Sequence, residues 1–219
     1  VSVAPPPTPA FVPPRHELVR RLPPLLLGLV LCGFGIALTV NADLGLGPWD
    51  VLHQGVSELT GIPVGTTAIL VGAVVLLSWM WIRERPGIGT IANIVVIGLT
   101  IDLVLLWLPE PEAMPLRIAF LLVGVFLFGP GSGFYIGAGL GPGPRDGLMT
   151  GIARRGPSVR LVRTGIELTA LALGILLGGT AGIGTVLFAL TIGPNVQFFL
   201  PRLAVDRPTP DPSDAPDLV

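Results

Sequence analysis

Residues 42–55 read ADLGLGPWDVLHQG, and residues 138–151 read AGLGPGPRDGLMTG. Laid over one another at a displacement of 96, they agree at eight of fourteen positions: Ala42 with Ala138, Leu44 with Leu140, Gly45 with Gly141, Gly47 with Gly143, Pro48 with Pro144, Asp50 with Asp146, Leu52 with Leu148 and Gly55 with Gly151. About one or two agreements would arise by chance in so glycine-rich a chain, which points to an internal duplication. A second correspondence, displaced by 95, sets Gly87-Ile88-Gly89-Thr90 over Gly182-Ile183-Gly184-Thr185, and Ile97-Gly98 over Ile192-Gly193. The two halves correspond along most of their length.

The surroundings of these stretches are those of a membrane protein. The chain is 51% hydrophobic and 12% charged, with a mean hydropathy of +0.78, outside the balance of a soluble domain. Six apolar runs cover residues 25–40, 64–82, 88–108, 116–137, 161–178 and 183–200. A helix rising about 1.5 Å per residue needs roughly 20 residues to cross the hydrocarbon core, and only helices or closed barrels satisfy their backbone there. None of the runs alternates with period two, so helices are expected rather than barrel strands.

Three spans per half is an odd number, so the second half must enter the bilayer from the side opposite to the first. The expected fold is an all-α membrane protein of six transmembrane helices arranged as two inverted three-helix repeats, with a Gly-Pro-x-Asp loop after the first helix of each. The repeats occupy residues 22–108 and 116–203, joined by an outer connector at 109–115. Prolines at 5, 6, 7, 9, 13, 14, 23 and 24 remove backbone donors, so residues 1–24 read as disordered, and a cytoplasmic tail is assigned to 1–21. Residues 204–219 form a second disordered tail. A cleaved signal peptide over the first run fits poorly, because no small-x-small cleavage site follows it.

Charge sets the orientation. All thirteen basic residues are arginine, and with the N-terminus inside, every one but Arg117 falls in a cytoplasmic segment. Both termini are therefore expected in the cytoplasm, the Gly-Pro-Trp-Asp loop outside and the Gly-Pro-Arg-Asp loop inside. A net charge of -1 and a pI near 6.1 offer no basic stripe for phosphates, which excludes nucleic acid as a partner. A single cysteine, Cys32, reads as a packing residue, and two histidines are too few for a zinc cluster, so neither a disulfide framework, a metal nor a cofactor is expected.

The motifs have a plain structural reading and a functional one. In Gly47-Pro48-Trp49-Asp50, proline suits the first helical position and aspartate the first turn, which is how a helix begins. The functional reading folds both loops toward mid-membrane, so that helix N-termini face a solute. Asp50 and Asp146 already place a carboxylate there, which favours a polar or cationic solute, or a coupled proton, over an anion. The duplicated positions differ in chemistry: Trp49 is matched by Arg145, and His53 by Met149. Asp102, Arg163 and Glu167 lie in or near apolar runs, where ionisable groups are functional candidates by default. Arg163 and Glu167, four apart, also suit an intrahelical ion pair. Gly129, Gly133, Gly137 and Gly141, and the pair Gly174 and Gly178, suit close helix packing. Trp79, Trp81 and Trp107 at span ends suit an interfacial belt. The solute-site candidates are thus Asp50, Asp146, Glu167, Asp102, Arg145, Trp49 and His53.

An enzyme is not expected. Asp146-Gly147 with Ala153-Arg154 is distantly similar to the signature of CDP-alcohol phosphotransferases, but its spacing is too long and the later aspartate pair is absent. No nucleophile–base constellation or phosphate loop occurs.

With Gly-Leu-Gly-Pro-Trp-Asp at 45–50, Gly-Pro-Gly-Pro-Arg-Asp at 141–146 and Gly-Ile-Gly-Thr at 87 and 182, the chain resembles the YczE/YyaS/YitT group of bacterial integral membrane proteins over residues 22–203. That resemblance implies a bacterial cytoplasmic membrane location and no agreed activity; some relatives are associated with secondary-metabolite production. Inverted repeats are common in secondary transporters, so the expected function is a transporter-like permease for a small solute. The alternative is a non-transporting accessory protein. The expected partners are the lipid bilayer, a small solute and, in the accessory reading, a membrane-protein partner or a second copy of the chain.

Overall fold

The computed structural model describes residues 14–205, which contain eight α-helices and no strand: α1 (Arg15–Ala42), α2 (Pro48–Thr60), α3 (Val64–Ile82), α4 (Ile88–Trp107), α5 (Met114–Gly137), α6 (Pro144–Ala153), α7 (Val159–Leu176) and α8 (Ile183–Leu203). Five of them, α1, α3, α4, α5 and α8, are long and apolar enough to cross a membrane. The fifth apolar run, residues 161–178, became α7, an 18-residue helix that carries Arg160, Arg163 and Glu167 and so lacks a continuous apolar surface. The two Gly-Pro-x-Asp loops each open a short helix, α2 and α6.

The expected disorder over residues 1–24 is corrected in part, because α1 is already helical from Arg15 and runs through Pro23 and Pro24. Two prolines remove two N–H donors, but tertiary packing offsets that loss. Leu25 and Leu29 are fully buried against Tyr135, Ala138 and Leu140, with Leu18 and Leu22 packed beside them, and Glu17 pairs with Arg21 at 3.2 Å. At the other end Val205 N–H donates to Gly137 O at 3.0 Å and Val205 O accepts from Arg20 Nη2 at 2.9 Å, so residues 204 and 205 are held rather than loose. The expected tails at 1–13 and 206–219 lie outside the described residues.

The centre of the molecule is the crossing of α1 and α5. A Cβ on Gly28 would stand 2.5 Å from Gly131 O, and a Cβ on Gly35 would stand 2.7 Å from Gly124 O. Rising residue number on one helix meets falling number on the other, so the two run antiparallel. Adding 96 converts Gly28 into Gly124 and Gly35 into Gly131, and each of these contacts therefore turns into the other. Glycine is required here because only hydrogen lets two helix backbones approach so closely.

Other contacts recur in the same way. Arg117 Nε donates to Ala42 O at 2.7 Å, and Arg21 Nη1 donates to Ala138 O at 3.2 Å, a displacement of 96 at both ends. Gly184 N–H donates to Leu44 O at 2.8 Å, and Gly89 N–H to Leu140 O at 2.9 Å. The short helices are exchanged between halves: α2 lies along α7, and α6 lies along α3. Gly174 of α7 admits the Val51 and Leu52 backbone of α2, while Gly147 of α6 admits the Trp79 ring of α3.

Trp79 departs from the expected interfacial belt. It is 2% exposed and its Nε1 donates to Pro144 O at 3.1 Å, so it seats the start of α6. Trp81 and Trp107 are exposed, as a belt requires. Gly129, Gly133 and Gly137 face Asn195, Phe199 and Ala204 respectively, which makes that stripe the α5–α8 interface.

Candidate functional site

The first turns of α2 and α6 are built alike. Gly47 and Gly143 precede the helices with extended backbone, Pro48 and Pro144 occupy the first helical position, and Asp50 and Asp146 fall in the first turn. Proline suits that position because its missing N–H would lack a partner there anyway. A Cβ on Gly47 would press on the Phe188 ring at 3.1 Å, and one on Gly143 would meet Asp146 Oδ2 at 3.2 Å.

These two turns, 96 residues apart, meet. Arg145 Nη2 lies 3.6 Å from Asp50 Oδ1, and its guanidinium sits 5.1 Å from the centre of the Trp49 ring, within cation–π range. The residues that break the symmetry of the duplication are thus the ones in contact.

Beside them is a cavity of about 280 Å³, lined by both turns and by Cys32, Ile36, Asn93, Ile97, Phe128, Ser132, Tyr135, Met149, Arg163, Glu167, Phe188, Ile192 and Gln197 among others. Every long helix except α3 contributes to its wall. Cys32 lies ten residues from Ala42 and eleven from Arg21, about 15 Å from each at helical rise, on a helix that continues outward to Arg15. The cavity therefore lies near the middle of the bundle.

Within the site, three polar atoms are buried without a hydrogen-bond partner among the described residues: Trp49 Nε1, Asp50 Oδ1 and His53 Nδ1. His53 Nδ1 and Asp50 Oδ1 are 3.4 Å apart, close in charge but outside bonding geometry. An unsatisfied buried group costs about 1–3 kcal/mol, and such expense concentrates at functional sites. On the α6 side, Tyr135 OH donates to Asp146 Oδ2 at 3.0 Å. On α7, Arg163 Nε donates to Glu167 Oε1 at 3.0 Å.

Of the seven candidates from the sequence, Asp50, Asp146, Glu167, Arg145 and Trp49 line this cavity. His53 stands behind Asp50 and lines a small adjoining space of about 40 Å³ with Trp49 and Arg145. Asp102 is the exception. Its carboxylate accepts Gly65 N–H at 2.6 Å, Thr66 N–H at 2.7 Å and Thr66 Oγ1–H at 2.7 Å, so it caps the N-terminus of α3 from α4. A carboxylate on exposed helix amides is satisfied without any solute.

Sequence reasoning overlooked Tyr135, Ser132, Asn93 and Gln197. Two signals were available. Tyr135 is the single tyrosine of the chain and sits in an apolar run. Gln197 occupies the position 95 beyond Asp102, where the second half needs no cap of that kind. Cys32, expected to pack, is buried and also lines the cavity. Among the described residues no group of three or more His, Cys, Asp or Glu side chains is disposed to hold a metal.

Comparison with known proteins agrees with this membrane architecture. An uncharacterized protein of Haemophilus influenzae is 43% identical over 181 residues, 82% of this chain and 83% of that protein. The uncharacterized membrane protein YczE of Bacillus subtilis is 38% identical over 191 residues, 86% of this chain and 89% of its own length. The uncharacterized protein YyaS of the same organism is 26% identical over 182 residues, 80% and 90% respectively. No solved structure matches. Residues 19–201 match the model of a family of unknown function, DUF6198: the chain is a membrane protein that belongs to this family.

Proposed function

We propose that the chain is a transporter-like permease of the bacterial inner membrane, with six spans in two inverted repeats, both termini cytoplasmic, and a solute site in the cavity between the halves. The observation that carries the reading is the convergence of Asp50, Arg145, Asp146 and Glu167, drawn from both halves, on one cavity at mid-length of the central helices. Charged groups at membrane depth are expensive unless they line a hydrated path, and accessory packing does not call for them.

The paired contacts support the inverted repeat, since α1–α5, Arg117–Ala42 and Gly184–Leu44 each recur with the halves exchanged. In this reading α7 serves as the sixth crossing, because Arg163 and Glu167, which interrupt its apolar surface, line the cavity and pair with each other. Half-helix N-termini at mid-depth are a recurring device of secondary transporters. Exchange of α2 and α6 between halves gives an arrangement in which rocking one half moves the other half's gate.

Uptake into proteoliposomes tests the proposal. Wild-type protein is expected to move at least one solute from a panel of small amines, amino acids and neutral polyols, with or without a proton gradient. A double substitution, Asp50→Asn with Asp146→Asn, is expected to abolish that uptake. No uptake of any panel member, together with stoichiometric recovery of a membrane partner on purification, would favour an accessory role instead.

A further inference from the structure

The charges that line the cavity are not balanced. Arg145 answers Asp50 and Arg163 answers Glu167, but Asp146 has no cationic partner among the described residues. Its Oδ2 accepts the Tyr135 hydroxyl, which holds the carboxylate in one orientation, and Oδ1 has no protein donor among those residues. Asp146 is also exposed where it lines the cavity, unlike Asp50. Beside the polar Asn93, Ser132 and Gln197, the lining carries the apolar side chains of Ile97, Phe128, Phe188, Ile192 and Val196, with Phe128 and Phe188 set edge to face at 5.0 Å. A carboxylate without a cationic partner in the same cavity as aromatic and aliphatic side chains is the complement of a cation with an apolar body, since the charge is answered and the apolar surface is covered.

We infer that the cavity takes a small amphiphilic monocation, a protonated amine whose ammonium group binds Asp146 and whose apolar body lies against Phe128 and Phe188. Tyr135 is the positioning residue that orients the carboxylate. The cavity limits the size. Its volume of about 280 Å³ lies at the small end of ligand pockets, which suits a small amine rather than a drug-sized solute. The inference rests on the permease reading only for the relevance of the cavity, and it is tested by binding rather than by transport.

The probes are phenethylamine, 2-phenylethanol and 3-phenylpropionate, titrated calorimetrically into the full chain in detergent at neutral pH, with empty micelles as the blank. Phenethylamine is expected to bind saturably, and the uncharged alcohol and the anion at least tenfold more weakly. Asp146→Asn is expected to bring the amine down to the level of the alcohol, while Asp146→Glu keeps the order of preference. Tyr135→Phe, which retains the carboxylate, is expected to weaken the amine about threefold and leave it ahead of the alcohol; if Asp146→Asn does not fold, undiminished amine binding by Tyr135→Phe would overturn the inference. Equal binding of amine and alcohol, tighter binding of the anion through Arg145, undiminished binding by Asp146→Asn, or no binding of any probe would each overturn the inference. Selective binding without uptake in liposomes would leave it standing and remove the permease reading. Uptake of neutral or anionic solutes alone would do the reverse.

Discussion

Asp102 and Asp50 are both aspartates in apolar surroundings, and their partners separate them. Asp102 accepts three donors from the start of α3, whereas Asp50 Oδ1 accepts none among the described residues. Asp102→Ala is therefore expected to cost about 1–2 kcal/mol, read as a lower melting temperature in detergent, with solute preference unchanged. Asp50→Asn is expected to lower uptake and, because it leaves Arg145 without its carboxylate, to lower the melting temperature as well. Glycine matters most at the crossing of the central helices. Gly35→Leu would drive a side chain into the Gly124 carbonyl, and overpacking of this kind costs about 1–3 kcal/mol or more. Melting of that variant beside Gly165→Leu, where a Cβ meets nothing within 4 Å, checks the difference. Residue chemistry of this sort was partly legible in the sequence: the candidates were visible as rare charges in apolar runs, but a cap and a site look alike until their donors are known.

At the scale of elements, α2 and α6 were readable as helix starts, because Gly-Pro-x-Asp places each residue type where a first turn wants it. Their destinations were not readable. α2 leaves its own half to lie along α7, and α6 leaves to lie along α3, through contacts such as Gly147 with Trp79 that link residues of unlike size and no sequence proximity. α7 illustrates the converse. Its charges weaken its apolar signal as a span, and two of them, Arg163 and Glu167, line the cavity. The meeting of α2 and α6 at Asp50 and Arg145 makes an energetic prediction. A double-mutant cycle with Asp50→Asn and Arg145→Gln is expected to give a coupling on the order of 1 kcal/mol, because Asp50 is buried but a third of the Arg145 side chain is exposed and solvent screens the pair. A coupling near zero would mean that the two turns do not act together.

At the scale of the whole molecule, the recurrence of contacts under exchange of halves makes topology testable. Reporter fusions after Arg83 and after Arg155 are expected on the cytoplasmic face, and a fusion after Glu112 on the opposite one. A fusion after Gly178 should share the face of Glu112, since that outcome requires α7 to cross. If Arg155 and Gly178 report the same face, α7 does not span and the inverted arrangement fails.

The all-helical membrane character, the duplication and the start of each short helix were determined by the sequence alone. Each depends on properties that neighbouring residues carry themselves: hydropathy over a span length, identity at a constant displacement, and the backbone limits of glycine and proline. The antiparallel crossing of α1 and α5, the exchange of α2 and α6, the capping role of Asp102 and the shared cavity were decided only by tertiary structure. They depend on which distant surfaces meet, and an aspartate becomes a cap or a site according to the donors that packing brings within 3 Å of it.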